Sequence, residues 1–133
     1  MVTTYQPSKK VLIVDDDSSI RETLSNFLSS KGFRVESAEN GYTALKVLQR
    51  SPFDFLIVDV DMPKINGIEL LSYLKEWNIN IPSIIITGNI SEEIRKEASR
   101  LKVWDVIEKP FSFNDIFLNI QQGLDKTELL NQK

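Results

Sequence analysis

The residues of this chain best suited to chemistry are acidic side chains that directly follow two apolar segments, residues 11–14 and 55–58. They are, in chain order, Asp15, Asp16, Asp17, Asp59 and Asp61. Carboxylates at the end of a buried segment lie at the edge of a core, where desolvation and mutual repulsion raise their free energy unless a cation or a proton is bound. Two such charges about 4 Å apart repel each other by roughly 4 kcal/mol at an effective dielectric constant of about 20. The sequence therefore predicts a cation site.

The available side chains restrict both the cation and the reaction. The chain contains no histidine and no cysteine, so only oxygen ligands remain, and these favour a hard cation. Mg²⁺ fits best, because it accepts one or two carboxylates together with water and phosphate oxygens. A carboxylate can also attack phosphorus to form an acyl phosphate, a reaction that needs mainly positioning and charge neutralisation. Asp59 is the preferred nucleophile, since it stands alone after its segment while Asp15 and Asp16 form a metal-binding pair.

The composition limits the class of protein. The chain has 133 residues, of which 41% are hydrophobic, enough for one globular domain with a core. Its net charge of −3 argues against direct binding of nucleic acid, which requires a basic surface. Residues 1–10 are polar and no apolar run approaches the about 20 residues of a membrane span, so we expect no membrane anchor. The absence of cysteine is compatible with a cytoplasmic location.

The pattern of apolar residues predicts the elements that must position the acids. Residues 11–14, 55–58, 81–86 and 104–107 are typical of strands, and residues 33–37 alternate as in an exposed edge strand. An amphipathic helix is predicted after each strand, with Ser18, Ser91 and Ser112 as N-caps and with Lys31-Gly32 ending the first helix. Asp17 is expected only to begin that helix.

Five strands that alternate with five helices predict an α/β fold, a doubly wound five-stranded parallel sheet in the order 2-1-3-4-5 with helices on both faces, which is flavodoxin-like. Ligands of such folds bind beyond the carboxyl ends of the strands, where the strand order reverses. In this order Asp59 faces the pair Asp15 and Asp16. Thr87, after the fourth strand, and Lys109, after the fifth, are expected at the same edge.

Four motifs in this order and spacing resemble those of the response-regulator receiver domain, the phosphoacceptor module of two-component signalling. They are Val14-Asp15-Asp16, Asp59-x-Asp61-Met62-Pro63 followed by Asn66-Gly67, Ile86-Thr87-Gly88, and Lys109-Pro110-Phe111. The resemblance covers residues 10–123. Residues 1–9 are then a polar lead-in, and residues 124–133 extend the last helix or form a linker.

The resemblance implies a metal site and a phosphorylated residue. Asp59 would accept the phosphoryl group, and Mg²⁺ would be bound by Asp16, by the side chain of Asp59 and by the backbone carbonyl of Asp61. Asp15 would act on the ion through bound water. The implied role is regulatory, since the domain would assist only its own phosphorylation and dephosphorylation.

The resemblance also implies the remaining groups and the partners. Thr87 would donate a hydrogen bond to the phosphoryl oxygen, and Lys109, joined to Pro110 by a cis bond, would pair with it. The phosphoryl donor would be a phosphohistidine on another protein, a sensor histidine kinase or a phosphotransfer protein, because this chain has no histidine. An effector domain or output protein would receive the signal, and the domain would act as a monomer or as a phosphorylation-dependent dimer.

Two positions depart from the family pattern. Val106 stands three positions before Lys109, where receivers usually carry an aromatic residue, and Lys102-Val103 replaces the common Gly-Ala. We therefore expect a domain that signals without the aromatic rotamer change.

Two other functions remain open. A receiver-like module could bind partners without phosphorylation, and the two departures, which alter the face formed by the fourth helix, the fifth strand and the fifth helix, keep this open. Asp59-Val60-Asp61 also resembles the nucleophile motif of haloacid-dehalogenase-type phosphatases. That family places its motif after the first strand and usually has Thr or Val where this chain has Pro63, so the phosphatase is the less favoured alternative.

Overall fold

The structure is a computed structural model that describes residues 8–131 of the chain, with side chains as far as residue 127. Five strands alternate with five helices over this range, as predicted. In chain order the elements are β1 (Lys10–Val14), α1 (Ser18–Ser30), β2 (Arg34–Ala38), α2 (Gly41–Arg50), β3 (Phe55–Asp59), α3 (Gly67–Glu76), β4 (Ser83–Thr87), α4 (Glu92–Leu101), β5 (Asp105–Glu108) and α5 (Phe113–Asn131).

The strands form one parallel sheet in the order β2-β1-β3-β4-β5, which confirms the predicted topology. The register aligns Val14 of β1 with Val58 of β3. Asp15 and Asp59, which follow these two residues, therefore reach the carboxyl edge of the sheet side by side. Thr87 ends β4 at the same edge. The strand order reverses between β1 and β3, so the acids lie at the switch point where ligands of such sheets bind.

Packing on both faces of the sheet fixes this register. The residues of the central strands that face α2, α3 and α4 are Leu12, Val14, Leu56, Val58 and Ile85. The residues that face α1 and α5 are Val11, Ile13, Phe55, Ile57, Ile84 and Ile86. Full burial of one such side chain contributes about 1.5–3 kcal/mol, and a shift by one residue would exchange the two sets between the two cores. The core therefore holds the acids in alignment.

The start of α1 differs from the prediction. Its N-cap is Asp17 and not Ser18, because the Asp17 carboxylate accepts hydrogen bonds from the N–H groups of Ser19, at 2.9 Å, and Ile20, at 3.3 Å. A carboxylate at this position also interacts favourably with the positive end of the helix dipole. The expectation that Asp17 begins the helix is confirmed.

Two strand boundaries are also shifted. β4 begins at Ser83 rather than at residue 81, since Pro82 has no N–H to donate to the sheet. The carbonyl of Pro82 still accepts a hydrogen bond from the N–H of Leu56 at 3.0 Å. β5 is displaced by one residue from the predicted 104–107, and the N–H of Trp104 donates to the carbonyl of Ser83 just before the strand begins.

The other predicted helix ends are confirmed. Ser91 Oγ accepts a hydrogen bond from the N–H of Ile94 at 3.1 Å and caps α4. Ser112 Oγ accepts hydrogen bonds at the start of α5 from the N–H of Asn114, at 3.2 Å, and from the N–H of Asp115, at 3.4 Å. Gly32 follows α1 with a φ of +98°, in the left-handed region that favours glycine.

The predicted division into a lead-in (1–9), a domain (10–123) and a C-terminal extension or linker (124–133) stays a prediction. Most of the lead-in, residues 1–7, lies outside the described residues, as do residues 132 and 133 of the predicted extension. Between them, α5 continues past residue 123 to Asn131 as one helix. Within residues 8–131, no helix has both the length and the apolar character that crossing a membrane requires.

Candidate functional site

Three carboxylates from two strands meet at the switch point of the sheet. Asp15, Asp16 and Asp59 each place one carboxylate oxygen within 4.8 Å of the others. Asp15 is 2% exposed and Asp59 is 1% exposed, whereas Asp16 is open to solvent. The expected juxtaposition of the acids after β1 and β3 is therefore present, and one side of the group faces outward.

The loop after β1 holds Asp15 in place. Its Oδ1 atom accepts a hydrogen bond from the N–H of Asp17 at 2.9 Å, and its backbone carbonyl accepts one from Arg21 Nη1 at 2.7 Å. Burial raises the pKa of Asp15 from its ordinary value of 3.8 to about 6, against the lowering effect of the hydrogen bond from Asp17. The charges of Asp59 and Asp16 raise the pKa further, and the charge of Lys109 lowers it. The surroundings of Asp15 thus disfavour its ionised form.

Asp59 is held by one hydrogen bond at each carboxylate oxygen. Oδ1 accepts from the N–H of Asp61 at 2.8 Å, and Oδ2 accepts from Lys109 Nζ at 2.8 Å. Burial lowers the pKa of Lys109, but the hydrogen bond to Asp59 and the charges of Asp59, Asp15 and Asp61 outweigh it, so the net pKa is raised. Lys109 is therefore a cation at neutral pH. Its peptide bond to Pro110 is cis, as the resemblance implies.

Thr87 lies at the edge of the site and is 2% exposed. Its hydroxyl donates to the carbonyl of Asn89 at 3.2 Å and lies 3.5 Å from Asp61 Oδ2. The same Asp61 oxygen accepts a hydrogen bond from the N–H of Gly88 at 2.8 Å. The resemblance implies a role only for the backbone carbonyl of Asp61, so the contact of its side chain with Gly88 was not predicted. Two features of the sequence could have indicated this contact. Asp61 lies two residues after Asp59 at the end of β3, and the Thr-Gly pair lies at the end of the neighbouring strand β4.

The donor set fits a hard divalent cation. Carboxylate oxygens of three residues converge, and the raised pKa of Asp15 reflects the unfavourable burial and repulsion that a bound cation would relieve. Neither nitrogen nor sulfur ligands occur in the group, which favours Mg²⁺ over softer transition metals. The individual ligand roles of Asp15, Asp16, Asp59 and Asp61 stay predictions.

Gly67 at the start of α3 supports the backbone that carries Asp59. A Cβ atom at this position would lie 2.7 Å from the carbonyl oxygen of Asp59 and 2.7 Å from a side-chain methyl of Val58. We expect Gly67→Ala to lower the free energy of unfolding by about 1–3 kcal/mol, as overpacking does elsewhere, because β3 must shift. Denaturant unfolding measures this change. Gly88→Ala is the control, since its Cβ would meet only Asp61 Oδ2 at 3.5 Å. An equal decrease in the free energy of unfolding of both variants would contradict the prediction.

Comparison with known proteins identifies the family. Residues 11–121 match the family model described as the response regulator receiver domain. The match covers most of the chain, and the chain therefore belongs to the receiver domains of response regulators, which are regulatory domains. The predictions of the family, of the fold class and of a receiver function in signalling are confirmed, and the two alternative functions are not favoured.

Individual relatives agree with this assignment. The chain is 37% identical over 118 residues to the transcriptional regulatory protein CpxR homolog of Haemophilus influenzae, covering 89% of this chain and 51% of that protein. It is 31% identical over 122 residues to the response regulator MprA of Mycobacterium ulcerans, covering 92% of this chain and 53% of that protein. The chain thus spans about half the length of these curated relatives.

A solved structure shows the same architecture. The chemotaxis protein CheY4 of Vibrio cholerae superposes with a TM-score of 0.83 and 32% sequence identity, over 89% of this chain and 100% of that one. Because that chain is covered completely, the similarity extends over the whole of that fold.

Proposed function

We propose that this chain is a Mg²⁺-dependent phosphoacceptor in which Asp59 accepts a phosphoryl group from a phosphohistidine on another protein. The observation that carries the proposal is the setting of Asp59. Its carboxylate is buried, is paired with Lys109 at 2.8 Å and lies next to the carboxylates of Asp15 and Asp16. A structural ion pair alone would not place two more acids against the same buried carboxylate, since their mutual repulsion is unfavourable.

The reaction follows from these groups. A carboxylate oxygen of Asp59 attacks phosphorus, the bond from phosphorus to the histidine nitrogen breaks, and the electron pair of that bond returns to the imidazole. Lys109 is already hydrogen-bonded to Asp59 and is positioned to neutralise charge on the transferred group. Thr87 supplies a hydroxyl donor from β4.

A bound Mg²⁺ would supply the positive charge that phosphoryl transfer requires at the phosphoryl oxygens. In this proposal the ion would be held by Asp16, by the Asp59 side chain and by the backbone carbonyl of Asp61, with Asp15 acting through water. The three carboxylates supply the oxygen ligands that this cation prefers. The proposed role is regulatory, in that the chain assists only its own phosphorylation and dephosphorylation at Asp59.

The proposed partners are a sensor histidine kinase or phosphotransfer protein as the donor and an effector domain or output protein as the receiver of the signal. The domain acts as a monomer or as a phosphorylation-dependent dimer, without direct contact to nucleic acid. A cytoplasmic location belongs to the proposal, since a chain without cysteine suits a reducing compartment.

We further propose that the signal leaves the site without an aromatic switch residue. Val106 in β5 is partly buried and packs against the core shared with α2, α3 and α4, so no large ring is available there to change its rotamer. Lys102, at the position where the family commonly has glycine, ends α4 with a φ of 57°. The left-handed backbone that favours glycine at helix ends is therefore retained with a different side chain.

Binding of beryllofluoride, which mimics the acyl phosphate, tests the proposed function. With Mg²⁺ present we expect this ligand to stabilise the wild-type chain by about 2.7 kcal/mol at 100 times its Kd, seen as a higher melting temperature. The melting temperature of the wild type should not change with beryllofluoride in the absence of Mg²⁺. That of the Asp59→Asn variant should not change under either condition. No Mg²⁺-dependent response at millimolar ligand would contradict the proposal and favour a module that acts without phosphorylation. Rapid multiple turnover of a phosphate monoester would instead favour a phosphatase.

A further inference from the structure

One oxygen of the Asp61 side chain accepts a hydrogen bond from the backbone at the end of β4, and a second potential donor, the Thr87 hydroxyl, lies close to it while it donates to the carbonyl of Asn89. The N–H of Gly88 donates to Asp61 Oδ2 at 2.8 Å, and the Thr87 hydroxyl lies 3.5 Å from the same atom. The carboxylate thus extends from the loop after β3 across to the end of β4. The described part of the chain pairs this oxygen with no cation, since Lys109 is hydrogen-bonded to Asp59.

We propose that the Asp61 carboxylate competes with the phosphoryl group for these donors and thereby stabilises the unphosphorylated site. The inference rests on the proposed function, in which Asp59 is phosphorylated. Asp61 is a positioning residue here, because it acts through Thr87 and Gly88 and takes no part in the bonds that form or break.

The position of Asp61 makes the competition direct. Its own N–H donates to Asp59 Oδ1 at 2.8 Å, so its backbone is fixed beside the acceptor carboxylate. A phosphoryl group on Asp59 would bring several anionic oxygens to this place, each a strong acceptor. The Gly88 N–H, together with the Thr87 hydroxyl once it rotates away from Asn89, supplies the donors that such an oxygen requires.

Charge repulsion favours the same displacement of the Asp61 carboxylate as the competition for hydrogen-bond donors. Asp61 is close enough for its charge to contribute to the raised pKa of Lys109, and a phosphoryl group would add roughly two negative charges nearby. Phosphorylation would therefore displace the Asp61 carboxylate from Gly88, and the segment after β4 would exchange one anionic partner for another. The contact with Asp61 thus couples occupancy of the site to the end of β4.

Beryllofluoride titration of an Asp61 series measures the competition. The titration is followed by ¹⁹F NMR at Mg²⁺ concentrations that saturate each variant, so that changes in metal affinity do not enter the comparison. We expect Asp61→Ala to bind beryllofluoride about tenfold more tightly than the wild type, the change that about 1.4 kcal/mol produces. Asp61→Asn should be intermediate, because its amide oxygen remains a neutral acceptor.

The backbone amide of Gly88 supplies a readout that needs no ligand. Loss of a charged acceptor should move its ¹H resonance upfield in the unliganded Asp61→Ala variant, and by less in Asp61→Asn. Glu39→Gln is the matched control, because it removes one exposed negative charge just after β2, at the same edge of the sheet. Its beryllofluoride affinity should stay within about twofold of the wild type, since surface charges interact weakly.

The outcomes separate this inference from the proposed function. If the wild type binds beryllofluoride and Asp59→Asn does not, while Asp61→Ala binds no more tightly than the wild type, the phosphoacceptor role stands and the competition is wrong. Equal tightening in Asp61→Ala and Asp61→Asn with an unmoved Gly88 resonance would also overturn it, because charge repulsion alone would then be at work. Absence of binding in every variant would overturn both.

Discussion

Asp59→Asn is expected to lose all covalent labelling by acetyl phosphate in the presence of Mg²⁺. The wild-type chain should gain one phosphoryl group, seen by intact-protein mass spectrometry, and should lose it again in hydroxylamine, which attacks acyl phosphates. An amide oxygen is a poor nucleophile towards phosphorus, so the variant has no acceptor at this position. Its carbonyl oxygen can still accept the hydrogen bond from Lys109, which lies at 2.8 Å in the wild type, so the loss should not arise from unfolding.

Asp17→Asn is the matched control for this loss. Asp17 lies two residues from Asp15 in the chain but is exposed, and its carboxylate caps α1. Asparagine caps helices about as well as aspartate, so this variant should fold and label like the wild type. Retained stoichiometric labelling of Asp59→Asn would show that another residue is the acceptor and would refute the assignment.

Asp15→Asn is expected to stabilise the metal-free protein at neutral pH and to abolish most of its response to Mg²⁺. Asp15 is 2% exposed and its pKa is raised to about 6, first because of burial and then because of Asp59 and Asp16. The difference between 3.8 and about 6 corresponds to an unfavourable free energy of about 3 kcal/mol once the group is ionised. An asparagine oxygen can still accept the hydrogen bond from the N–H of Asp17.

The pH dependence has a defined sign. Since the pKa of Asp15 is higher in the folded than in the unfolded chain, its unfavourable contribution is absent below about pH 4, grows as the pH rises and is complete above about pH 6. In buffer with EDTA, the free energy of unfolding of the wild type should therefore fall over this range relative to Asp15→Asn. Urea unfolding at several pH values measures the difference. Asp17→Asn, whose carboxylate is exposed, should follow the wild type, and parallel curves for Asp15→Asn and wild type would contradict the prediction.

The strand pattern was predictable because it depends on local burial. Runs such as residues 55–58 are apolar without interruption, as expected for strands covered on both faces. Alternation of strands and helices then left few topologies, and the expected order 2-1-3-4-5 is one of the common orders of such sheets. The placement of Asp59 beside Asp15 required only this order.

Element boundaries were less predictable, since they depend on single hydrogen bonds. Ser18 and Asp17 are both good N-caps, and the choice of Asp17 depends on the backbone conformation that the loop after β1 adopts. The start of β4 at Ser83 reflects the missing N–H of Pro82 together with the position of its neighbour, β3. Neither choice is encoded in residue type alone.

The sequence by itself determined which residues are available for chemistry and at which edge of the sheet they lie. Oxygen ligands without histidine or cysteine, and acids placed directly after buried strands, are properties of the chain and its periodicity. Only the tertiary structure decided how these groups pair. Lys109 contacts Asp59 across 50 residues, and Asp61 contacts Gly88 across 27. Such contacts depend on side-chain directions set by packing of the two cores, because a distance of a few ångströms between strands is fixed by the register of the whole sheet and not by spacing along the chain.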